Sequence, residues 1–357
     1  MRARTFYILV AFVSVMLSVT SCKESEQHKQ KAQHNGHAVY YWRTTWQLTE
    51  KEKNFLKDNS VQRVYLRLFD VVNKYDDYDG VEQQGKLVPT PQATLHFNEP
   101  YDLSCEVVPV VYITDDCLSA DTLLADKVVT RVAQFCETND LLWNELQIDC
   151  DWRKSTRDAY FCFLEKVRSK LKAHNRSLSS TIRLHQFSQP APPVDYGVLM
   201  CYNTGDLTDK KTLNAILSTR EVRTYAGKLK DYPLPLSVAY PVFSWKRLFR
   251  GNNFVALLRD TDIDDSTTFK KCGSGVYEVC QSFSAVTPDP TIFGMPVYPG
   301  DTVRYDFVPT DTLKLVKQLL ENEYAGLHQQ VIIYSLNEKD FSKYTQNEIE
   351  SIYTSSW

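Results

Sequence analysis

The sequence predicts an α/β fold, a single (β/α)8 or TIM barrel, and three observations indicate it. Eight apolar segments of strand length alternate with mostly helical connections, which is the order of elements in this barrel. Nearly all of these segments are followed by polar or aromatic residues, whereas their starts are poorer in such residues. The 357 residues also suffice for one domain of this size with a large core.

Each predicted strand is a short apolar or alternating run. The third is apolar almost throughout, as expected for a strand that is buried on both faces of a parallel sheet. The second alternates, which places its even-numbered and odd-numbered side chains on opposite faces. The predicted strands cover residues 38–42, 61–69, 107–113, 145–152, 178–184, 196–201, 236–240 and 330–336.

Capping-box patterns open two of the predicted helices, Thr49 with Glu52 and Ser155 with Asp158. The second connection, residues 70–104, lacks helical periodicity, so the second helix of the barrel is expected to be short or missing. Residues 247–309 are predicted to form an insertion between strand seven and the next helix. Helices are predicted over residues 49–58, 120–138, 155–171, 210–217 (an extension to 228 is left open), 310–323 and 346–353.

The N-terminus predicts an exported protein. Arg2 and Arg4 precede an apolar run that ends in small residues, the pattern of a signal peptide over residues 1–21, and the run is too short to span a membrane. Cys22 follows directly and resembles the lipobox cysteine of bacterial lipoproteins, which implies acylation, for example by palmitate. Residues 22–37 are predicted to be a flexible tether before the barrel domain, 38–357. We therefore expect a lipid-anchored protein of the bacterial outer membrane, on its periplasmic or cell-surface side.

Composition and motifs exclude several classes of function. The net charge of −3 gives no electrostatic basis for binding nucleic acid. The sequence has no nucleophile elbow, P-loop, dinucleotide fingerprint or zinc-ligand spacing, so neither a cofactor nor a metal is predicted. Cys272 and Cys280 flank a glycine-containing turn. In an exported protein they could either form a disulfide or remain free thiols, and the sequence does not decide between the two.

Two carboxylates mark the predicted site. Asp149 and Asp151 end the fourth strand and are two residues apart, so their side chains should project from the same face. The C-terminal ends of barrel strands meet at one rim, where the active sites of this fold lie. The alternative is a structural role, in which the two carboxylates cap and orient the following helix.

Ile148-Asp149-Cys150-Asp151-Trp152 resembles the fourth-strand motif D-G-x-D-x-D-W-E of chitinase-like (family 18) glycoside hydrolases. Met200-Cys201-Tyr202-Asn203 resembles the sixth-strand M-x-Y-D/N of the same family, and Trp245 is comparable to its tryptophan beyond strand seven. The matching residues lie at strand ends and do not extend over the whole chain. The resemblance implies a TIM barrel that acts on carbohydrate.

The sequence departs from this motif at the acid. Arg153 stands where the family has the glutamate that protonates the leaving oxygen, and Leu146 and Gln147 replace the first Asp and the Gly. Arginine does not release its proton near neutral pH, so the family's mechanism does not carry over. Asp149 and Asp151 are both candidate catalytic residues. Asp151 would be one carboxylate of a catalytic pair and needs a partner. The candidates for that partner are Glu338, Asp206, Asp115 and Asp70.

Two functions are consistent with these residues. One is hydrolysis of glycosidic bonds in a poly- or oligosaccharide by a carboxylate pair that includes Asp151. The other is carbohydrate binding without catalysis, through aromatic rings and arginines. Arg67 and Arg183 could instead form ion pairs with Asp149 and Asp151. Trp46 and Trp245 could instead pack in the core. The predicted carbohydrate contacts are Trp42, Trp46, Arg67, Asp70, Trp152, Arg183, His185, Tyr202, Asn203 and Trp245.

Overall fold

Eight parallel strands close into a barrel in the computed structural model, which describes residues 36–75, 86–287, 294–324 and 327–354. The strands are β1 (His37–Tyr41), β2 (Val61–Tyr75), β3 (Glu106–Ile113), β4 (Glu145–Asp149), β5 (Ser177–Ile182), β6 (Tyr196–Met200), β7 (Leu236–Pro241) and β8 (Leu327–Tyr334). β1 pairs with β8 on one side and with β2 on the other, which closes the sheet. The predicted (β/α)8 barrel is confirmed. The predicted signal peptide, Cys22 and nearly all of the tether lie outside the described residues.

The connection after β2 has no helix among its described residues, as the missing periodicity predicted. Residues 70–75 of β2 instead pair antiparallel with the strand Leu87–Gln92. This strand contains Pro89 and Pro91, which have no backbone N–H to donate, and it lies at the edge of the ribbon, where prolines are tolerated. A second short pairing joins Thr45–Trp46 to His96–Phe97.

Seven α-helices lie in the described part of the chain: α1 (Glu50–Asp58), α2 (Leu124–Thr138), α3 (Arg157–Lys172), α4 (Thr219–Ala226), α5 (Thr310–Glu323), α6 (Glu338–Phe341) and α7 (Gln346–Tyr353). Short 3-10 helices cover Asp115–Ser119 and Leu184–Ser188. The capping box at the start of α1 is confirmed. None of the helices in these ranges combines the length and the apolar character needed to cross a bilayer.

Two predicted helix starts are wrong. Thr156, not Ser155, precedes α3, and its hydroxyl accepts from the Arg153 amide and donates to Asp115 instead of capping the helix. The helix predicted over 210–217 is an irregular segment, and α4 begins only after it. Asn214 accounts for this, because its Oδ1 accepts from the amides of Ile216 and Leu217 and so competes with helical hydrogen bonds.

The predicted insertion after β7 forms a five-stranded antiparallel sheet. Its strands, in spatial order, are Asn253–Leu258, Trp245–Arg250, Thr302–Asp306, Val276–Val279 and Phe269–Gly273. A separate apolar cluster that includes Leu248, Val279 and Val303 packs beneath it. The predicted insertion is confirmed.

The disulfide considered between Cys272 and Cys280 is absent, and both residues are free thiols. The hairpin register gives the reason. The Cys280 amide donates to Thr268, which is four positions along the strand from Cys272. At about 3.4 Å per residue, this offset places the two cysteines well beyond the Cα separation of about 4.4–6.8 Å that a disulfide needs.

Side chains of β4 form a polar stripe inside the barrel. Glu145, Gln147 and Asp149 are buried, and two of them contact strands that are not their neighbours in the sheet. Tyr40 of β1 donates to Gln147 Oε1 at 2.6 Å, and Arg63 Nη1 of β2 lies 3.4 Å from Glu145 Oε2. Contacts between non-adjacent strands of a closed sheet must cross its interior. The interior is therefore filled in part by hydrogen-bonded polar groups.

A buried ion pair joins the insertion sheet to the irregular segment 203–218. Arg247 Nε lies 2.8 Å from Asp306 Oδ2, and neither side chain is exposed. The Arg247 guanidinium also donates to the carbonyls of Leu207, Asp209 and Thr212. Asp306 Oδ2 in turn accepts from the Ala215 amide at 3.0 Å. One charge pair thus holds most of this segment against the sheet.

We predict that Asp306→Asn destabilises the protein by about 3 kcal/mol or more, because Arg247 then stays buried without a negative partner. The amide group also turns one acceptor into a donor that faces other N–H groups. Denaturant unfolding measures the free energy of unfolding.

Asp260→Asn is the matched control, because the Asp260–Lys339 pair is 62% and 80% exposed. Its effect should stay within about 0.5 kcal/mol. Equal effects of the two substitutions would contradict the role of the buried pair.

Candidate functional site

Arg183, one residue beyond β5, contacts both carboxylates at the end of β4. Its Nε donates to Asp151 Oδ1 at 2.6 Å, and its Nη2 lies 3.5 Å from Asp149 Oδ1. β4 and β5 are adjacent and parallel, with Ile148 opposite Ser180, so their C-terminal ends bring these groups together. The structure thus has the ion pairs that the sequence left open as an alternative. Asp149 and Asp151 share one cation.

Asp149 lies inside the barrel and is only 4% exposed. Thr181 Oγ1 donates to its Oδ1 at 2.6 Å. Burial raises the pKa of Asp149 above its usual value, although Arg183 opposes that shift; the charge of Asp151 adds to it and Thr181 opposes it. Asp149 is therefore placed to orient Arg183 rather than to meet a ligand.

A cleft of about 340 Å³ opens beside Asp151. The Asp151 side chain is 56% exposed, in contrast to Asp149 below it. The walls come from the ends of β4, β5 and β6 and from α4, so the cleft lies at the C-terminal rim of the barrel, where sites of this fold are found. Residues lining it include Asp151, Arg183, His185, Tyr202, Asn203, Glu221 and Tyr225.

His185 projects from the turn after β5 into this cleft. Partial burial, and then the positive charge of Arg183, lowers the pKa of His185, against a weaker opposite effect of Asp151. Its imidazole is therefore neutral at pH 7 and can both donate and accept a hydrogen bond. Asn203, on the next strand end, has a backbone φ of 53° and an exposed side chain.

Aromatic rings form a continuous series across the ends of four strands. Tyr334 is central to it, with ring centroids 4.5 Å from Tyr202, 5.8 Å from Trp42 and 5.9 Å from Phe243. Trp245 extends the series, 5.5 Å from Phe243. Tyr202 belongs both to this series and to the cleft wall, so the rings continue the floor of the cleft towards β1.

Arg67 and Asp70 lie at the β1–β2 side of the rim and bind each other. Arg67 Nε donates to Asp70 Oδ1 at 2.7 Å, and the Arg67 guanidinium lies 5.6 Å from the Trp42 ring centroid. Arg183 similarly lies 5.8 Å from the Tyr202 ring centroid. Two arginines therefore border the ring series, Arg67 paired with one aspartate and Arg183 with two.

Arg153 does not point at Asp151. Its Nε donates to Asp115 Oδ2 at 2.7 Å, and its side chain is 70% exposed. The position that holds the acid in chitinase-like enzymes is thus occupied by half of an ion pair with the end of β3. Asp115, a candidate for the second carboxylate, is therefore already bound to Arg153.

Several predicted site residues lie elsewhere. Trp46 is 1% exposed and packs in the core against Tyr101, with ring centroids 4.9 Å apart, so it offers no face to a ligand. Trp152 is equally buried and packs against Phe161 of α3, so it offers no face to a ligand either. Both expectations are corrected.

Glu338 is not brought to the cleft either. It begins α6 and pairs with Lys51 of α1 at 2.8 Å, which lowers its pKa. Asp206 accepts from the amide and hydroxyl of Thr208, two residues along an exposed turn. Neither of these carboxylates lines the cleft beside Asp151, so the expectation that Glu338 is the second carboxylate is corrected.

Sequence reasoning missed Glu221, Tyr225, Tyr334 and Tyr112. Ser218-x-x-Glu221 is a capping signal that could have located the start of α4 and hence a carboxylate at the rim. Tyr112 pairs in register with Asp149, and burial, then Asp151 and Asp149, raises its pKa to about 12. Tyr112 is therefore a neutral hydroxyl beside the aspartates. Throughout the described ranges, no group of His, Cys, Asp and Glu is arranged to hold a metal ion.

We predict that Arg183→Met destabilises the protein by about 3–5 kcal/mol at pH 7.5, because Asp149 stays buried and charged without its cation. The loss should shrink as the pH falls to 5. Without Arg183 the pKa of folded Asp149 rises further above its unfolded value, so acidification protonates the folded state preferentially and relieves the penalty.

Denaturant unfolding at both pH values measures this effect. The double variant Arg183→Met/Asp149→Asn is the control and should lose the pH-dependent part. A loss that is the same at both pH values would show that Asp149 is not the source.

No protein-family model matches the chain, and no curated protein matches it. Solved structures do. The spore cortex-lytic enzyme SleL of Bacillus cereus is 15% identical, with 89% of this chain and 74% of that chain covered at a TM-score of 0.51. A chitinase of Chromobacterium violaceum is 12% identical, with 89% and 97% covered at a TM-score of 0.54. At such identities the likeness is one of architecture. The chain shares the (β/α)8 TIM-barrel fold of these two enzymes.

Proposed function

We propose that this protein binds a glycan chain in the rim cleft and hydrolyses a glycosidic bond there, with Asp151 as one of two carboxylates. The observation that carries the proposal is Asp151 itself, an exposed carboxylate paired with Arg183 in a cleft at the C-terminal face of the barrel. Glycoside hydrolysis commonly uses two such groups on either side of the scissile bond.

The surroundings of Asp151 support a sugar ligand. The ring series that includes Trp42, Tyr202 and Tyr334 continues the cleft floor, and flat apolar rings pack against the faces of sugars. Asn203, His185 and Arg183 offer hydrogen bonds to hydroxyl groups. Chitin oligosaccharides are the first substrates to test, because a chitinase shares the fold.

Each charged group at the strand ends has a distinct task in this proposal. Arg183 Nε donates to Asp151 and fixes the direction of its side chain, and we assign to Asp151 the task of accepting a proton from water. Asp149 and Thr181 keep the Arg183 guanidinium in place from below. The acid must come from another residue, because Arg153 cannot supply a proton.

Binding without hydrolysis is the second candidate. The Arg153–Asp115 pair favours it, because it fills the place of the usual acid with a neutralised pair. Such a protein would capture glycans with the same rings and hydrogen-bonding groups.

We predict that Asp151→Asn lowers the release of reducing ends from chitin oligosaccharides by at least about 100-fold, the usual size of a general acid–base contribution. Binding of the same oligosaccharides, measured by calorimetry, should persist, because the amide keeps the shape of the side chain.

Asp158→Asn is the control, since that carboxylate is 85% exposed at the start of α3 and should leave turnover unchanged. If the native protein binds glycans from a broad panel but cleaves none, hydrolysis is refuted and the binding candidate stands.

We further propose that the protein is exported and anchored to the outer membrane through acylated Cys22. The apolar run before this cysteine and the polar residues after it support the proposal. A tether of this kind places the barrel near the membrane surface without a spanning helix.

We predict that Cys22→Ala moves the expressed protein from the membrane fraction to the soluble fraction, because the site of acylation is lost. Immunoblots of fractionated cells measure the shift. Cys162→Ala, at an exposed cysteine of α3, should stay with the membranes. Retention of Cys22→Ala in the membrane fraction would refute the anchor.

A further inference from the structure

We propose that Glu221 is the proton donor that works with Asp151, an inference that rests on the proposed hydrolytic function. Glu221 lies in the first turn of α4, and it lines the same cleft as Asp151. The two side chains reach the cleft from different elements, one from a strand end and the other from a helix. A glycosidic bond seated in the cleft can therefore meet a carboxylate from each.

Glu221 also marks the junction of two cavities. A second groove of about 760 Å³ runs between the segment 205–220 and the start of α5, and Glu221 lines this groove as well as the cleft. A chain-like ligand that occupies both spaces must pass the Glu221 carboxylate. A glycosidic bond of such a ligand can then lie beside Glu221.

Glu221 differs from other carboxylates of the rim in its ion pairs. Asp70, Asp115, Asp151 and Glu338 each bind an arginine or lysine. Each of these carboxylates therefore has a fixed cationic partner. Over the described ranges, no lysine or arginine lies within ion-pair distance of Glu221. Of the two carboxylate residues that line the cleft, Asp151 is therefore paired with a cation and Glu221 is not.

The helix cap leaves the Glu221 side chain available. In a complete capping box, a glutamate at this position would accept from the amide of the cap residue, Ser218. That amide instead donates to Thr204 Oγ1 at 2.7 Å. Ser218 still accepts from the Glu221 amide, so α4 is capped while the carboxylate faces the cleft.

The reaction is a single displacement by water. Glu221 transfers its proton to the glycosidic oxygen, and the bond between that oxygen and the anomeric carbon breaks with its electron pair going to the oxygen. The water oxygen bonds to the anomeric carbon while Asp151 accepts a proton from that water. The products are an alcohol and a new reducing end. Proton exchange with solvent returns Glu221 to its acid form and Asp151 to its anion.

Two substrates with different leaving groups test this assignment. Chitotetraose needs a protonated leaving oxygen, whereas 2,4-dinitrophenyl chitobioside releases a stable phenolate without an acid. We expect Glu221→Gln to lower turnover of chitotetraose by at least about 100-fold and that of the dinitrophenyl glycoside by less than about tenfold. Asp151→Asn should impair both. The alkaline fall of the native pH–rate profile should also disappear for Glu221→Gln with the dinitrophenyl substrate.

Glu165→Gln, an exposed glutamate of α3, is the matched control and should resemble the native protein with both substrates. Thermal unfolding of each variant shows that the fold is intact. If Glu221→Gln loses activity equally on both substrates, or keeps full activity on chitotetraose, the role of Glu221 is overturned while the proposed function stands. Absence of turnover by the native protein on both substrates overturns the proposed function and this inference together.

Discussion

Negative charge buried inside a closed barrel is the constraint on which the rest of this structure depends. Alternation along β4 directs Glu145, Gln147 and Asp149 inwards, where water cannot solvate them. Each is therefore matched from another strand: Arg63 contacts Glu145, Tyr40 donates to Gln147, and Thr181 and Arg183 bind Asp149. The barrel closes around these contacts, and the last of them reaches the rim.

Buried Asp149 needs a cation beside it, and the position of that cation determines the arrangement of the site above. Arg183 satisfies the buried aspartate and, from the same guanidinium, holds Asp151 at the edge of the cleft. Asp151 is thereby fixed in direction. Arg153 pairs with Asp115 in a similar way, which removes both from the chemistry of the cleft. The pattern of ion pairs thus distinguishes the paired carboxylates of the rim from Glu221, which has no ion-pair partner among the described residues.

The insertion sheet completes the site from outside the barrel. Through Arg247 and Asp306 it holds the segment that carries Asn203 and leads into α4. That segment would otherwise be a long irregular loop with many unpaired backbone groups. The position of Glu221 at the cleft therefore depends on a charge pair in a different sheet.

The sequence by itself determined the barrel, the insertion and the absence of a helix from the described part of the second connection. These features follow from periodicity and strand alternation, which are local properties. The burial of Trp152 was not among them, because its indole suggested a ligand contact and the structure packs it against Phe161. Only the tertiary structure decided which charges pair, which carboxylate stays free and where α4 begins. Such outcomes depend on groups far apart in the chain, as with Arg183 and Asp151 or Ala215 and Asp306, whose distances no sequence pattern encodes.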